Sequence, residues 1–69
     1  SAQWFRRAAE LGLVDSQYNL GRLYEEGLGV SQNAAEAYKW YLIAARTGDS
    51  EARVSAQRVK AMTPALAAA

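Results

Sequence analysis

The sequence predicts an all-α fold, an α/α solenoid of antiparallel helix pairs with about four helices and a short C-terminal segment. One pattern occurs twice: Trp4–Gly12 aligns without a gap with Trp40–Gly48, and the tryptophan, both alanines and the glycine are identical. The offset of 36 residues is typical of helical hairpin repeats. Between and after these segments, apolar residues recur at i, i+3 and i+4, which is the spacing of one helix face.

Composition excludes several functional classes. The chain has 69 residues, no cysteine, no histidine and a formal net charge of +1. Disulfides and thiolate metal sites are therefore excluded, the commonest general base is absent, and the charge is too small for non-specific nucleic-acid binding. The longest apolar run, Trp40–Ala45, is far below the roughly 20 residues that span a bilayer. We expect no cofactor, no metal site and no membrane insertion in this segment.

The first two helices follow from spacing and caps. A helix is predicted over residues 2–11, and a second begins at Ser16, with Leu20, Leu23 and Tyr24 on one apolar stripe. Asp15 precedes this stripe, and a carboxylate there can accept hydrogen bonds from the free backbone N–H groups of a helix start. We therefore predict Asp15 as the N-cap.

The later helices have clearer boundaries. Asn33, with Glu36 three residues later, resembles a capping box, and Gly48 suits the position after a helix end. Asp49 is the predicted N-cap of a last helix, which Pro64 ends. The predicted division is a half repeat over 2–12, a full repeat over 15–48, a capping helix over 49–62 and a C-terminal segment over 63–69.

The glycine-rich stretch "EEGLGVSQN" invites comparison with a phosphate-binding loop. Such loops follow a strand and have a basic residue nearby, whereas this stretch follows a predicted helix, has two acids before it and contains no Lys or Arg. We interpret Gly27 as the helix end and Gly29 as the turn, since both positions favour positive φ. Val30 is then expected to close the end of the hairpin against the helices.

Residues 9–52, "AELGLVDSQYNLGRLYEEGLGVSQNAAEAYKWYLIAARTGDSEA", resemble the Sel1-like repeat, a relative of the tetratricopeptide repeat. The residues that carry the resemblance are Leu20-Gly21, Tyr24, Gly27, Gly29-Val30, Asn33, Ala37, Trp40-Tyr41, Ala44-Ala45 and Gly48. The last helix departs from the pattern, as Val54, Ser55 and Arg58 stand at its matching positions. The resemblance implies a TPR-like superhelix that assembles protein complexes.

The C-terminal "TPALAAA" is similar to the end of bacterial Sel1-like proteins, including the periplasmic domains of alphaproteobacterial polar-localisation factors. This likeness implies a role in bacterial envelope or cell-polarity assembly. It makes the periplasm the first expectation for localisation and the cytoplasm the second. The chain opens without Met, and we expect it to be part of a longer protein.

The expected function is that of a non-enzymatic scaffold or adaptor that binds a protein or peptide on its concave face, formed mainly by the second and fourth helices. The predicted partner-binding residues are Tyr18, Asn19, Arg22, Glu26, Arg53, Gln57 and Lys60. The alternative is a peptidoglycan- or glycan-binding module that uses exposed aromatics such as Tyr18 and Tyr38. Catalysis has no support, because Glu25 and Glu26 are adjacent, cannot face each other as a carboxylate pair, and are expected to be solvated.

Two apolar surfaces need a cover. Leu42 and Ile43 replace the Arg6 and Arg7 of the first copy, so we expect either a partner interface or a cap formed by Val54, Val59, Met62 or Leu66. Trp4 and Trp40 are expected in the core because they are repeat equivalents. However, the first helix lacks its helix partner within the chain, so the face with Trp4 and Phe5 should be partly uncovered. That predicts a longer parent or self-association through the N-terminal end.

Overall fold

The computed structural model describes residues 2–68, and these residues are helical almost throughout. Consecutive helices pack side by side, so the all-α architecture of antiparallel pairs is confirmed. No strand occurs within residues 2–68. The helices are α1 (Ala2–Glu10), α2 (Val14–Glu26), α3 (Ala34–Arg46), α4 (Ser50–Ala61) and the single-turn α5 (Pro64–Ala67).

The core lies between α2 and α3. Leu20 and Tyr41 are its largest fully buried side chains. A Cβ atom at Gly21 would lie 2.8 Å from two ring carbons of Tyr41, so the absence of a side chain there allows α2 to approach the ring. Alanines at 37 and 44 are fully buried on the same side of α3. Small residues at these positions bring the helices close, and the tyrosine ring fills the remaining space.

Polar contacts attach α1 to α2. The buried Gln17 donates from Nε2 to the carbonyl oxygen of Ala9 over 3.2 Å. Arg6 donates from Nη2 to the hydroxyl of Tyr24, and its guanidinium carbon lies 5.8 Å from the centre of that ring. Arg6 of α1 therefore packs partly against α2.

Two of the three predicted N-caps are confirmed. Asn33 Oδ1 accepts from the Glu36 amide, and Asp49 Oδ1 accepts from the Ala52 amide, each over 3.1 Å. The capping box is only half formed, because the Asn33 amide donates instead to the carbonyl of Tyr24 over 2.9 Å.

The predicted cap at Asp15 is wrong. The helix α2 begins at Val14, and its N-cap is Leu13, whose side chain makes no capping bond. The cause is the end of α1: Gly12 has φ +94°, and the Leu13 amide donates back to the carbonyl of Ala8 over 3.1 Å. The chain thus reverses on the glycine and enters α2 at once, which leaves Asp15 in the first turn.

The glycine loop is a turn, as predicted. Gly27 is the left-handed C-cap of α2, with φ +72°, and its amide donates to the carbonyl of Leu23. Gly29 also has a positive φ, and the half-buried Val30 packs against the core. The side chain of Gln32 fastens the loop by donating to the backbone carbonyl of Glu25 over 2.9 Å.

The two tryptophans occupy different environments although they are repeat equivalents. Trp40 is 6% exposed, as predicted, but Trp4 is 70% exposed, so its assignment to the core is wrong. The physical reason is that α1, as the first described helix, packs mainly against α2, which leaves the face with Trp4 uncovered. The open face expected around Trp4 is therefore present, whereas Phe5 packs partly against the core. Self-association through this face stays a prediction.

The predicted C-terminal cap is partly right. Val59 is buried in the core and Leu66 of α5 packs partly against it, as do Leu42 and Ile43. Val54 and Met62 are 65% and 73% exposed, so their assignment to the cap is wrong. Val54 lies on the side of α4 opposite its buried residues, and Met62 is the C-cap that follows the helix.

Candidate functional site

The helices α2 and α4 lie on either side of one face of α3. Each is antiparallel to α3, so they run in the same direction as each other. The space between them is the candidate site, which we call the α2–α4 groove. It is defined by Tyr18 and Glu25 on α2, by Glu51, Val54, Ser55 and Arg58 on α4, and by Met62 at the C-cap of α4.

A three-residue cluster joins the helices at the middle of the groove. Tyr41 of α3 donates its hydroxyl hydrogen to Glu25 Oε1 over 2.7 Å. Arg58 of α4 donates from Nη1 to Oε2 of the same carboxylate and from Nη2 to Oε1, the latter over 3.2 Å. Both carboxylate oxygens are therefore used. The cluster connects three helices through one carboxylate, and its geometry is that of a two-point arginine–carboxylate pair.

The cluster fixes the ionisation of its members. Partial burial raises the pKa of Glu25, but the hydrogen bonds from Arg58 and Tyr41 and the charges of Arg58 and Arg22 outweigh it, and the pKa ends below its ordinary value. Burial, followed by the bond to Glu25, raises the pKa of Tyr41 strongly. The bond to Glu25 raises the pKa of Arg58. At neutral pH, the groove thus contains the Glu25–Arg58 ion pair, and the neutral hydroxyl of Tyr41 donates a hydrogen bond to its carboxylate.

A first hollow lies toward the start of α4. It has a volume of about 330 Å³ and is lined by Tyr18, Ser50, Glu51, Val54 and Ser55. The Tyr18 ring leans against Tyr41, with 5.5 Å between the ring centres and a tilt of 49°. This contact holds the phenol as one side of the hollow, and the exposed Val54 side chain forms the other.

A second hollow lies beyond the ion pair, toward the end of α4. It has a volume of about 410 Å³ and is lined by Glu25, Gln32, Ala34, Val59, Met62 and Thr63. Its most exposed apolar side chain is that of Met62, the C-cap residue of α4. The groove therefore has one exposed apolar side chain on each side of Arg58.

The predicted partner-binding residues of α2 divide between the groove and the outer surface. Tyr18 lines the first hollow. Asn19 donates from Nδ2 to the Asp15 carbonyl over 2.8 Å, and Arg22 pairs with Glu26 over 3.3 Å along the same helix. These three are engaged with their own helix on its solvent side, next to the groove rather than within it.

The predicted partner-binding residues of α4 lie on another face. Arg53, Gln57 and Lys60 are all exposed. At 3.6 residues per turn, their stripe is rotated by roughly 130° from the stripe of Glu51, Val54 and Arg58. The structure therefore does not bring these three together with Tyr18 on one continuous surface. Tyr38, named with Tyr18 for glycan binding, packs partly against the core.

Sequence reasoning missed the residues at the centre of the groove. Glu25 was expected to be solvated, which is wrong, because a single glutamate on a helix gives no indication of a partner 33 residues away. The sequence did contain one indication of the groove, which is the helical spacing of Glu51, Val54 and Arg58. These residues form a stripe of mixed apolar and charged side chains, which is a second candidate surface beside that of Arg53, Gln57 and Lys60.

The described residues lack the features required for a metal site and for a membrane span. Within residues 2–68, no group of three or more His, Cys, Asp or Glu side chains converges on a point. None of the five described helices is both long and apolar enough to cross a membrane. The groove, by contrast, has hollows that are lined by residues of more than one helix.

Comparison with known proteins places this geometry in context. The model of the Sel1 repeat matches residues 1–13 and 14–49. Among curated proteins, chitin synthase regulator SKT5 of Saccharomyces cerevisiae is 46% identical over 50 residues, which cover 72% of this chain and 7% of that protein. Chitin synthase regulatory factor 3 of Schizosaccharomyces pombe is 38% identical over 50 residues, covering 72% of this chain and 5% of its own length.

A third relative comes from an animal. DAP3-binding cell death enhancer 1 of Rattus norvegicus is 40% identical over 53 residues, covering 77% of this chain and 10% of that protein. The chain therefore spans a tenth or less of the length of each of these relatives. No solved structure matches the chain significantly.

Proposed function

Because the chain belongs to the Sel1 repeat family, we propose that it is a non-catalytic interaction module whose α2–α4 groove binds a partner polypeptide. The observation that carries the proposal is the exposure of Val54 and Met62 on either side of the Glu25–Arg58 pair. Neither apolar side chain belongs to the core, and both line hollows formed by more than one helix. Apolar anchors in pockets with polar surroundings are typical of protein recognition.

The relatives support the coarser part of this proposal. Two of them bear the names of chitin synthase regulators and one is named for binding DAP3. Regulation and binding are what an interaction module provides, and the shared segment is a small part of each long protein. These names do not identify the partner of the present chain, so the proposal about that partner rests on the groove.

The expected setting receives less support. The relatives come from fungi and from rat, so they do not favour a bacterial envelope or a role in cell polarity. Localisation in the periplasm, with the cytoplasm second, stays a prediction from the sequence alone. Glycan binding is likewise unsupported, since Tyr18 and Tyr38 both pack partly against the core.

The experiment is a selection of random 12-residue peptides, displayed on phage, against the 69-residue chain. Selected peptides are then measured against Val54→Asp, with Lys60→Asp as the control that introduces the same aspartate on the other side of α4. An aspartate in the first hollow removes an apolar anchor and should weaken binding by about tenfold or more. Lys60→Asp should change affinity by less than about twofold, because a remote charge contributes little. Equal effects of the two variants, or no selected peptide at all, would contradict the proposal.

A further inference from the structure

Building on the proposed function, we infer the chemistry of the partner: an extended segment with two apolar side chains four residues apart and a lysine or arginine two residues outside one of them. The two apolar side chains occupy the two hollows, and the basic side chain pairs with Glu51. The inference rests on the spacing along α4, on the narrowness of the groove at its middle, and on the charge of Glu51, which makes no ion pair within the described residues.

The spacing comes from α4. Val54 and Met62 are eight residues apart, which at about 1.5 Å per residue is about 12 Å along the helix axis. An extended chain rises about 3.3 Å per residue, so four residues cover about 13 Å. Because alternate side chains of an extended segment point the same way, residues i and i+4 both face the groove. The two lengths agree to within about one ångström.

The middle of the groove argues against a helical partner. Arg58 of α4 reaches the carboxylate of Glu25 on α2 directly, so the side chains of the two helices meet there. A helix with its side chains is about 10 Å across and needs a wider opening than such a contact leaves. An extended segment can lie over the ion pair and still place its outer residues in the hollows.

The Glu25–Arg58 ion pair does not require a particular charge on the partner. One oxygen of Glu25 accepts from Tyr41 and Arg58, and the other accepts from Arg58. Its charge is compensated within the fold, so residue i+2 of the partner, which faces it, needs no opposite charge. A small or polar residue is expected at i+2.

Glu51 is different. Its carboxylate lines the first hollow, is exposed, and makes no ion pair within residues 2–68. It precedes Val54 by three residues and so lies about 4.5 Å farther from Met62 along the axis. A basic residue of the partner should therefore stand two residues from the first apolar residue, on the side away from the second, because alternate side chains face the groove. An opposite charge at this rim adds selectivity and association rate more than affinity.

The test uses the same peptide selection, and the selected peptides are sequenced to find the pattern that they share. We expect apolar residues four apart with Lys or Arg two residues outside one of them. Glu51→Lys should shift the preference at this outer position to Asp or Glu and weaken the original basic peptides by about tenfold. The control is Glu26→Lys, an equal charge reversal on the outer side of α2, which should leave the pattern unchanged. Val54→Asp should remove the preference at one apolar position and Met62→Asp at the other.

The two proposals fail in different ways. Peptides that are sensitive to Val54→Asp but have apolar residues seven or eight apart would mean a helical occupant and would overturn this inference while leaving the proposed function intact. The same holds for groove-binding peptides with no basic residue, or with a pattern that Glu51→Lys does not alter. If no selected peptide responds to Val54→Asp, the groove is not the binding site and the proposed function itself fails.

Discussion

Arg58 of α4 holds the carboxylate of Glu25 of α2 by contacts to both of its oxygens, across 33 residues of sequence. The hydroxyl of Tyr41 reaches the same carboxylate from α3. The pair therefore connects the two helices that border the groove and also anchors them to the helix beneath. The pair lies between the two hollows and so separates the proposed binding surface into two parts.

Removal of the Glu25 charge should lower stability measurably. Glu25→Gln keeps an acceptor for Tyr41 but loses the ion pair, and we expect a fall of about 1 kcal/mol in the free energy of unfolding, because the pair is only partly buried. The matched control is Glu26→Gln, which breaks an exposed pair within α2 and should change stability by less than about 0.5 kcal/mol. Urea denaturation followed by circular dichroism measures both, and equal effects would refute the distinction.

The same carboxylate should make stability depend on pH in the acid range. Folding lowers the pKa of Glu25 below its ordinary value of 4.5. A lowered pKa means that the stabilisation is fully present above the ordinary value and is lost as the pH falls through the lowered one. We expect the melting temperature to fall below about pH 4.5 and to fall less in Glu25→Gln than in the unaltered chain. Parallel slopes for the two proteins would rule out this assignment.

Gly21 should not tolerate alanine, although it lies within a helix. Replacement of an exposed helical glycine by alanine normally adds about 1 kcal/mol of stability. At Gly21 the new methyl group would lie 2.8 Å from the Tyr41 ring, so we expect a net loss of about 1–3 kcal/mol from overpacking. The control is the same substitution in a Tyr41→Leu background, where a smaller side chain should reduce the loss. A loss of equal size in both backgrounds would exclude the ring as its cause.

The two repeat-equivalent tryptophans should respond differently to removal. Trp40→Ala should destabilise the fold by about 3–5 kcal/mol, as expected for a large aromatic deleted from a core. Trp4→Ala should change stability by less than about 1 kcal/mol, because its side chain is largely in solvent. Thermal melts at several protein concentrations provide the measurement. A large loss for Trp4→Ala that grows with concentration would instead indicate self-association through this face.

The sequence by itself determined the local structure of this protein. Helix-forming stretches, the caps at Asn33 and Asp49, and the turn at Gly27 were all predictable, because each depends on interactions among residues that are close along the chain. Where a boundary was missed, at Asp15, the cause was the backbone reversal at Gly12, which begins the next helix sooner than the side chains indicate.

Only the tertiary structure decided which surfaces are free. The Glu25–Arg58 contact, the exposure of Trp4 and the position of Val54 beside a hollow depend on which helix lies next to which. A helix has the same periodicity whether a given stripe meets a neighbour or solvent, so its pattern leaves open which stripe borders the groove. The identity of the recognition surface is therefore a property of the stacked helices, because burial is set by neighbours that are distant in sequence.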